Sequence, residues 1–363
     1  EKEYFFKLNI DAPSIQSATN LLDPYLTPLK EKAPEAYRAL QLGEYEIDAN
    51  AKVNVQGIGV AYGITDYLTA YIGIPYYKAQ VNMNMVRTKG NNNEYVRNIV
   101  SQNIRPSQEL DALSTLIQAA TNSLPDITGG NIQSIIVNYM SYQPIGNWQA
   151  QGMGDIEIGL IKRFTNWYQA GLAATIGLTL PTGRTDDPDI IQDIPFGDGQ
   201  FDLFLEGGGS TRIGSGPFSI ETFGRFTFQA PSSKTLRIPE SEEYPLGIKK
   251  ATFYEKLGNF VDIVGSSTYH ANSWLDLSLS FLFNKTYKSN YQSQYLAANN
   301  ILELNTDKHS TAGKIELAFS TVDLYKQSKF LVPFNLKLSG QKILSGKNTP
   351  SYSRADIELR LFF

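Results

Sequence analysis

Ser353-Arg-Ala-Asp-Ile-Glu-Leu-Arg-Leu-Phe-Phe363 alternates without a break. Ala355, Ile357, Leu359, Leu361 and Phe363 are apolar, and Arg354, Asp356, Glu358 and Arg360 between them are charged. Successive side chains of a strand point to opposite faces, so this strand has one apolar and one charged face. In a soluble sandwich the apolar face looks inward. In a transmembrane barrel it looks out into lipid, and the charged face lines the lumen. The choice depends on whether the pattern recurs along the chain.

The sequence has 363 residues, which suits two ordinary domains or one barrel. It holds no cysteine, which excludes disulfides and thiolate metal sites, and only two histidines, His270 and His309. Its 21 tyrosines, 19 phenylalanines and 29 glycines favour strands and turns. A net charge of −4 argues against a nucleic-acid partner. No apolar run is long enough for a transmembrane helix. A mean hydropathy of −0.26 looks soluble, but a barrel hides its membrane signal because only alternate residues touch lipid. No signal peptide stands at Glu1, so an exported chain is expected here in its mature form.

The alternation recurs from end to end. Residues 1–10 read as a short strand. Gly43–Tyr62 follows, with Ile47, Ala49, Ala51, Val53 and Val55 as its apolar face against Glu46, Asp48, Asn50, Lys52 and Asn54. Tyr67–Met85 returns, and Pro75 suggests a bulge or register change there. Its apolar face is expected to be Leu68, Ala70, Ile72 and Ile74, then Ala79, Val81, Met83 and Met85. Further strands read as Gly154–Phe164, Tyr168–Leu180, Asp198–Ile213, Phe218–Gln229, Lys250–Tyr269, Trp274–Lys288, His309–Leu324 and Phe330–Ile343. Residues 230–247 and 289–307 read as loops. Two insertions do not alternate. Residues 11–42 hold short helical segments broken by Pro24 and Pro28, and residues 86–151 hold a helical spacing over 107–124.

Together these make an all-β, up-and-down transmembrane barrel of about twelve strands in a single domain over residues 1–363. An even count places both termini on the periplasmic side, and the first strand is expected to close against the last. Turns at Gly63, Thr165, Gly214, His270 and Lys326 are short, and the intervening loops are mostly long. Short turns face the periplasm and long loops the exterior. A soluble sandwich leaves that asymmetry unexplained. Both insertions are therefore extracellular, and they flank adjacent hairpins. Their apolar residues, Leu21, Leu22 and Leu26 in one and Leu110, Leu113, Leu116 and Ile117 in the other, are expected to pack as a cap over the mouth. Tyr67, Phe164, Trp167, Tyr168, Phe218, Trp274, Phe330 and Phe363 stand near short turns or the carboxyl end, as an aromatic girdle at headgroup level requires.

Four stretches resemble the outer-membrane transporters associated with meta-cleavage phenol degradation. They are Tyr62-Gly-Ile-Thr-Asp-Tyr-Leu-Thr69, Gly152-Met-Gly-Asp-Ile-Glu-Ile-Gly-Leu160, Gly177-Leu-Thr-Leu-Pro-Thr-Gly183 and Gly197-Asp-Gly-Gln-Phe-Asp202. The resemblance spans roughly residues 43–230 and implies passage of small, often aromatic or hydrophobic solutes across the outer membrane. The terminal strand ending on Phe363 also resembles the last strand of bacterial outer-membrane barrels, which implies recognition by the assembly machinery. Lipid and lipopolysaccharide are the expected surroundings.

Catalytic, metal and cofactor sites are not expected. Gly207-Gly-Gly-Ser-Thr-Arg-Ile-Gly-Ser-Gly216 lacks the Gly-Lys-Ser/Thr ending of a phosphate loop and reads as a strand closing into a turn. No Gly-x-Ser-x-Gly elbow is present. His270 is placed in a periplasmic turn and His309 at an outer rim, neither beside a serine at mid-strand. The acidic run Asp186, Asp187, Asp189 and Asp193 has oxygen ligands of the kind Ca²⁺ takes, but reads better as a solvated loop. The candidate lumen lining is Asp155, Glu157, Arg163, Asp202, Glu206, Arg212, Glu221, Arg225, Asp262, Asp276, Glu316, Lys337, Arg354, Asp356, Glu358 and Arg360, joined by Glu46, Asp48, Lys52 and Lys314. Charges away from bulk water must pair, so most are expected to bridge one another. The function read from this is a passive channel; the alternative is a surface structural or adhesion barrel with a plugged or capped lumen.

Overall fold

The computed structural model describes residues 2–13, 16, 23–92, 94–96, 98, 129–165, 170–242 and 246–361. The first eight strands are β1 (Lys2–Asp11), β2 (Gln41–Thr65), β3 (Leu68–Lys89), β4 (Asn147–Met153), β5 (Ile156–Thr165), β6 (Ala170–Leu180), β7 (Asp202–Arg212) and β8 (Phe218–Gln229). The rest are β9 (Ser232–Arg237), β10 (Lys250–Lys256), β11 (Phe260–His270), β12 (Leu275–Thr286), β13 (Asn290–Gln292), β14 (Lys308–Ser320), β15 (Phe334–Lys347) and β16 (Ser353–Leu361). Helices are short: α1 (Asp23–Lys32), α2 (Pro34–Ala39), α3 (Gly129–Ser134), α4 (Leu296–Glu303) and α5 (Val322–Lys326).

Twelve strands form one antiparallel up-and-down wall in the order β1-β2-β3-β5-β6-β7-β8-β11-β12-β14-β15-β16. β4 continues the line of β5 along the same edge of β3, and β13-β10-β9 form a separate small sheet at the long-loop end. Three expectations change in detail. Residues 250–269 are two strands, because the chain crosses at Gly258 so close to the Tyr287 carbonyl that a Cβ would lie 1.7 Å from it. The loops at 230–247 and 289–307 contain β9, and β13 with α4. The last hairpin begins at Phe334 and not at Phe330, since the Thr321 hydroxyl donates to the Val332 carbonyl (2.7 Å) and accepts from the Phe334 N–H (2.9 Å). The run from Gly207 is strand β7 up to Arg212, followed by a turn, as expected.

The first strand does not close against the last among the described residues. β1 pairs with the outer half of β2, from Lys2 opposite Ala51 to Asp11 opposite Gln41, and no ladder there joins it to β16. Leu361 lies at the short-turn level, opposite Phe334.

The β2–β3 hairpin contradicts one sequence expectation in an instructive way. The ladder to β2 runs through Gly57 opposite Pro75 with no register shift, and the expected register change lies on the other edge, where the pairing slips by one residue between Gly73 opposite Glu157 and Tyr76 opposite Met153. The Pro75 carbonyl accepts from Gly154 N–H (2.8 Å), so Pro75 turns its missing donor to the break between β4 and β5, where no bond is lost. Side chains therefore keep their faces along the whole hairpin. Leu68, Ala70, Ile72, Ile74 and Tyr76 share one face with Lys78, Gln80, Asn82 and Asn84. The other face carries Tyr71 and Tyr77, then Ala79, Val81, Met83 and Met85. Tyr71 bonds to Glu157 on the concave side, so Ala79 to Met85 also look inward; likewise Ile47, Ala49 and Ala51 on β2. Glu46, Asp48 and Lys52 face outward and line no lumen. Near Gln56 on β2 and Tyr76 on β3 the outward face changes from polar to apolar. Ile58 and Tyr62 are each 73% exposed on it.

That change is what a strand leaving lipid must show. Below it the outward side chains are Ile58, Val60, Tyr62 and Ile64 on β2, Leu203 and Leu205 on β7, Leu277, Leu279 and Phe281 on β12, and Ile357 and Leu359 on β16, all well exposed. An apolar patch of this extent is tolerated only against lipid or a partner. The fold is a transmembrane β-barrel whose tallest hairpin rises beyond the bilayer and turns its apolar face inward there. Leu279→Arg, at the middle of the belt on β12, should cost roughly 2–4 kcal/mol in bilayer unfolding titrations. A cysteine placed at Ile72 should resist a membrane-impermeant thiol reagent, and one at Gln80 should react. Equal reaction at both would put the boundary elsewhere.

Candidate functional site: the bore and its mouth

Phe204 of β7 points inward and is fully buried. It lies over Gly177, where a Cβ would come within 2.2 Å of its ring. The Arg225 guanidinium of β8 covers the ring at 3.8 Å. Arg225 donates to Glu206 (2.9 Å) on the neighbouring strand and to Glu157 (2.9 Å) on β5. Tyr71 of β3 donates its hydroxyl to the other Glu157 oxygen (2.8 Å). Two strands separate β5 from β8, so this reach is possible only across the concave side. One cation thus serves two carboxylates in a partly desolvated place, where charge-assisted bonds are strong. A cavity of about 300 Å³ adjoins the knot, lined among others by Arg163, Thr175, Glu206, Ser210 and Glu221. The Gly207–Gly209 run forms part of its wall, and a Cβ on Gly209 would come 2.8 Å from the Gly171 carbonyl.

Apart from the outward-facing Glu46, Asp48 and Lys52, the other expected lining charges share this face and are held mostly by neighbours. Glu316 takes Lys314 (2.7 Å) and Lys337 (3.2 Å). Asp262 accepts from Asn284, Arg354 pairs with Asp356 (2.8 Å), and Arg360 pairs with Glu358. Arg163 turns toward the short turn, donating to the Asp66 carbonyl (3.0 Å) beside the Tyr67 ring. Arg212 stands opposite Ser219 at the same end. Asp155 and Asp202 stand at the mouth.

His270 is the last residue of β11 and not part of the turn. Its Nδ1 meets Asp276 Oδ1 at 2.7 Å and its Nε2 meets Ser219 Oγ at 3.0 Å. No local pattern points to this hydrogen-bonded chain, because its members are 51 and 6 residues apart and converge through register alone. Ser219 sits inside two ladders, opposite Arg212 and Thr268, so the peptide N–H groups around it serve strand pairing and offer no oxyanion site. The chain ties three strands together above the short turns.

At the mouth three of the four resembling motifs converge on one carboxylate. Asp155 accepts from Gly183 N–H (2.8 Å) and Asp198 N–H (3.2 Å). Burial raises its pKa, and the bonds from Gly183 and Asp198 partly offset that. Gly197 must be glycine, since a Cβ would lie 2.3 Å from Asp155 Oδ1. Thr182 donates to the Gly154 carbonyl (2.9 Å) and accepts from Ile156 N–H (3.0 Å). Phe196 stacks on Tyr77 at 5.3 Å, pressing residues 181–201 against the wall. Two carboxylates of the acidic run here are paired: Arg184 grips Asp193 with two bonds (2.6 and 2.7 Å), and Asp189 meets Arg237 and Lys250. Among the described residues no cluster of metal-ligating side chains forms.

Arg237 of β9 is the clamp of the outer structure. It donates to the carbonyls of Met140 (2.8 Å), Ser141 (2.8 Å), Pro188 (3.1 Å) and Ile248 (2.9 Å), bonds Asp189, and stacks on Tyr142 at 4.0 Å. Beside it lies one apolar core drawn from both insertions: Leu26, Leu29, Tyr37 and Leu40 pack with Tyr45, Val96, Ile132, Ile136, Met140 and Tyr142. Of the expected cap residues Leu26 is in it, fully buried; Leu21, Leu22, Leu110, Leu113, Leu116 and Ile117 lie outside the described residues. Tyr67, Phe164, Trp274 and Phe330 all stand at the short-turn end, and there Trp274, Phe319, Phe334 and Phe330 pack in sequence at 5.3–5.9 Å. Trp167, Tyr168 and Phe363 are outside the described residues.

No known family pattern matches this chain, and no curated protein is significantly similar to it. Among solved structures, the crystal structure of an outer-membrane channel from Pseudomonas putida F1 aligns at TM-score 0.48 with 12% identity, over 88% of this chain and 86% of that one. BamA from Haemophilus ducreyi lacking POTRA domains 1–3 aligns at TM-score 0.35 with 11% identity, over 87% of this chain and 55% of that one.

Arg237→Ala should leave the wall intact and loosen the outer structure, read as faster proteolysis of residues 181–201 and 238–250. Acid should do the same. Burial pushes Asp189 up, but hydrogen bonds from Lys250 and Arg237 outweigh it, so its pKa lies below the ordinary 3.8. A carboxylate lowered on folding stabilises above its unfolded value and loses that contribution as pH falls through the folded one. The loosening should therefore set in below pH 3.8, and Asp189→Asn should remove this component.

Proposed function

We propose that the chain is a passive channel of the bacterial outer membrane for small solutes, covered outside by the apolar cap and narrowed at mid-bore by Arg225. The observation that carries this is the charged concave face. Its charges are paired through water-accessible side chains, with a cavity beside the knot, inside a wall whose outer face is apolar. A lumen used only as a structural core would be better filled with apolar groups. The four motifs resembling the phenol-degradation transporters support small hydrophobic or aromatic solutes, and the apolar core at the mouth supports the same class. In this reading the short turns and their aromatic rings face the periplasm, and the terminal strand engages the assembly machinery. The chain performs no catalysis of its own.

One observation favours the alternative of a closed scaffold: Phe204 is fully covered by Arg225, so the knot shuts part of the bore. Single-channel recording in planar bilayers separates the two. Under the channel reading the protein gives steady conductance steps. Arg225→Ala enlarges them and leaves Glu157 and Glu206 without their cation, at a cost of about 1.5–3 kcal/mol in stability. Electrical silence in both proteins would establish the scaffold. Deleting residues 97–124 should leave the barrel folded and raise ion flow or small-solute uptake; unchanged conductance would deny the insertion any gating role.

A further inference from the structure

The hairpin that rises beyond the lipid belt presents an outward face of unusual composition. On three adjacent strands the register lines up Asn50, Asn82 and Asn147 in one row. The next row toward the belt is Lys52, Gln80 and Gln149. The third is Asn54, Lys78 and Gln151. Seven of these side chains are amides and two are lysines, with no carboxylate among them. Asparagine is depleted in strands, so its repeated use here runs against local preference. Among the described residues none of the nine is tied to another side chain by a hydrogen bond or ion pair. A cavity of about 590 Å³ opens over the upper two rows, of the size that holds a small-molecule ligand.

Each amide offers both a donor and an acceptor, and each ammonium offers three donors. On a sheet these groups repeat at about 4.8 Å between strands and about 6.7 Å along them. Such an array matches a saccharide, whose hydroxyls also donate and accept, bearing an anionic group for the lysines. On β2 the carboxylates of this face begin one row farther out, at Asp48 opposite Asn84. Below the third row come Gln56, Tyr76 and Met153, whose exposed tyrosine and methionine open the apolar belt, and then Ile58 and Ile74. An occupant of these rows sits directly on the acyl-chain region. We propose that this face binds the phosphorylated saccharide head group of a glycolipid in the outer leaflet, with Lys52 and Lys78 holding phosphate and the amides holding sugar hydroxyls. The proposal rests on the outer-membrane reading above and adds a lipid site on the barrel's outer surface.

The test is binding of purified lipopolysaccharide to the full chain in detergent, followed by native mass spectrometry and by retention through purification. The wild type should retain lipopolysaccharide in preference to phosphatidylglycerol. Lys52→Ala with Lys78→Ala should weaken binding about tenfold, the loss of roughly one charge-assisted bond. Lys347→Ala, at the outer end of β15, should change nothing. Gln80→Ala with Asn82→Ala should weaken binding even to dephosphorylated lipopolysaccharide. Equal retention by wild type and both double variants overturns the site. Delipidated core oligosaccharide binding as tightly as the intact glycolipid overturns the lipid-borne occupant and points to a soluble glycan. A chain that fails to insert into bilayers overturns the outer-membrane reading itself, a result distinct from an inserted barrel that ignores lipopolysaccharide.

Discussion

A strand's side chains alternate with a period of two, and no register-preserving strand can escape it. Once Tyr71 points into the bore, every second residue of β3 up to Met85 points the same way. The medium outside changes along that strand from lipid to water, while the medium inside changes from charged bore to packed cap. The sequence meets both changes by exchanging the polarity of the two faces around Gly57 and Pro75, with the backbone unaltered. The rest of the outer structure depends on this exchange. It supplies the inward apolar floor, Tyr45 and Met85, against which the insertions bury their own apolar residues.

Two arginines do contrasting work on the two levels. Arg225 answers carboxylates, and its removal leaves two anions facing a concave space. Arg237 answers mainly carbonyl oxygens of segments distant in sequence, which no helix or sheet satisfies. Guanidinium suits both tasks because its five donors lie in a fixed plane and its face stacks on a ring, Phe204 in one case and Tyr142 in the other. The bore is therefore adjustable by charge, whereas the mouth is set by geometry.

The wall was legible because belt residues alternate strictly: β12 and β16 read directly from Leu275–Phe283 and Ala355–Leu361. The face assignment of β2 and β3 above the belt was not. Alternation shows which residues share a face, and leaves open which medium that face meets. Pro75 signalled a register change without telling which edge of β3 carries it, and the edge is the one shared by β4 and β5. The Ser219–His270–Asp276 chain and the convergence on Asp155 were invisible for another reason, since both arise from contacts between strands whose register no local pattern encodes. The motif glycines were visible, and their purpose appears only in three dimensions, where Gly197 makes room for the Asp155 carboxylate and Gly183 for the Phe196–Gly197 backbone.

The turn that joins β2 to β3 carries a burden out of proportion to its size. Thr65 Oγ accepts from Tyr67 N–H (3.2 Å) and Leu68 N–H (3.1 Å), and the ladder shifts by one residue just before it, between Gly63 and Thr65. All later pairings of the hairpin inherit that offset. A slip of one residue at the turn would send Ile58–Ile64 into the bore and Gly57–Gly63 into lipid. It would also turn the cap's floor out to water. Fidelity of the largest hairpin is thus decided early and locally, by one hydroxyl and one extra residue, before any distant strand has arrived to correct an error.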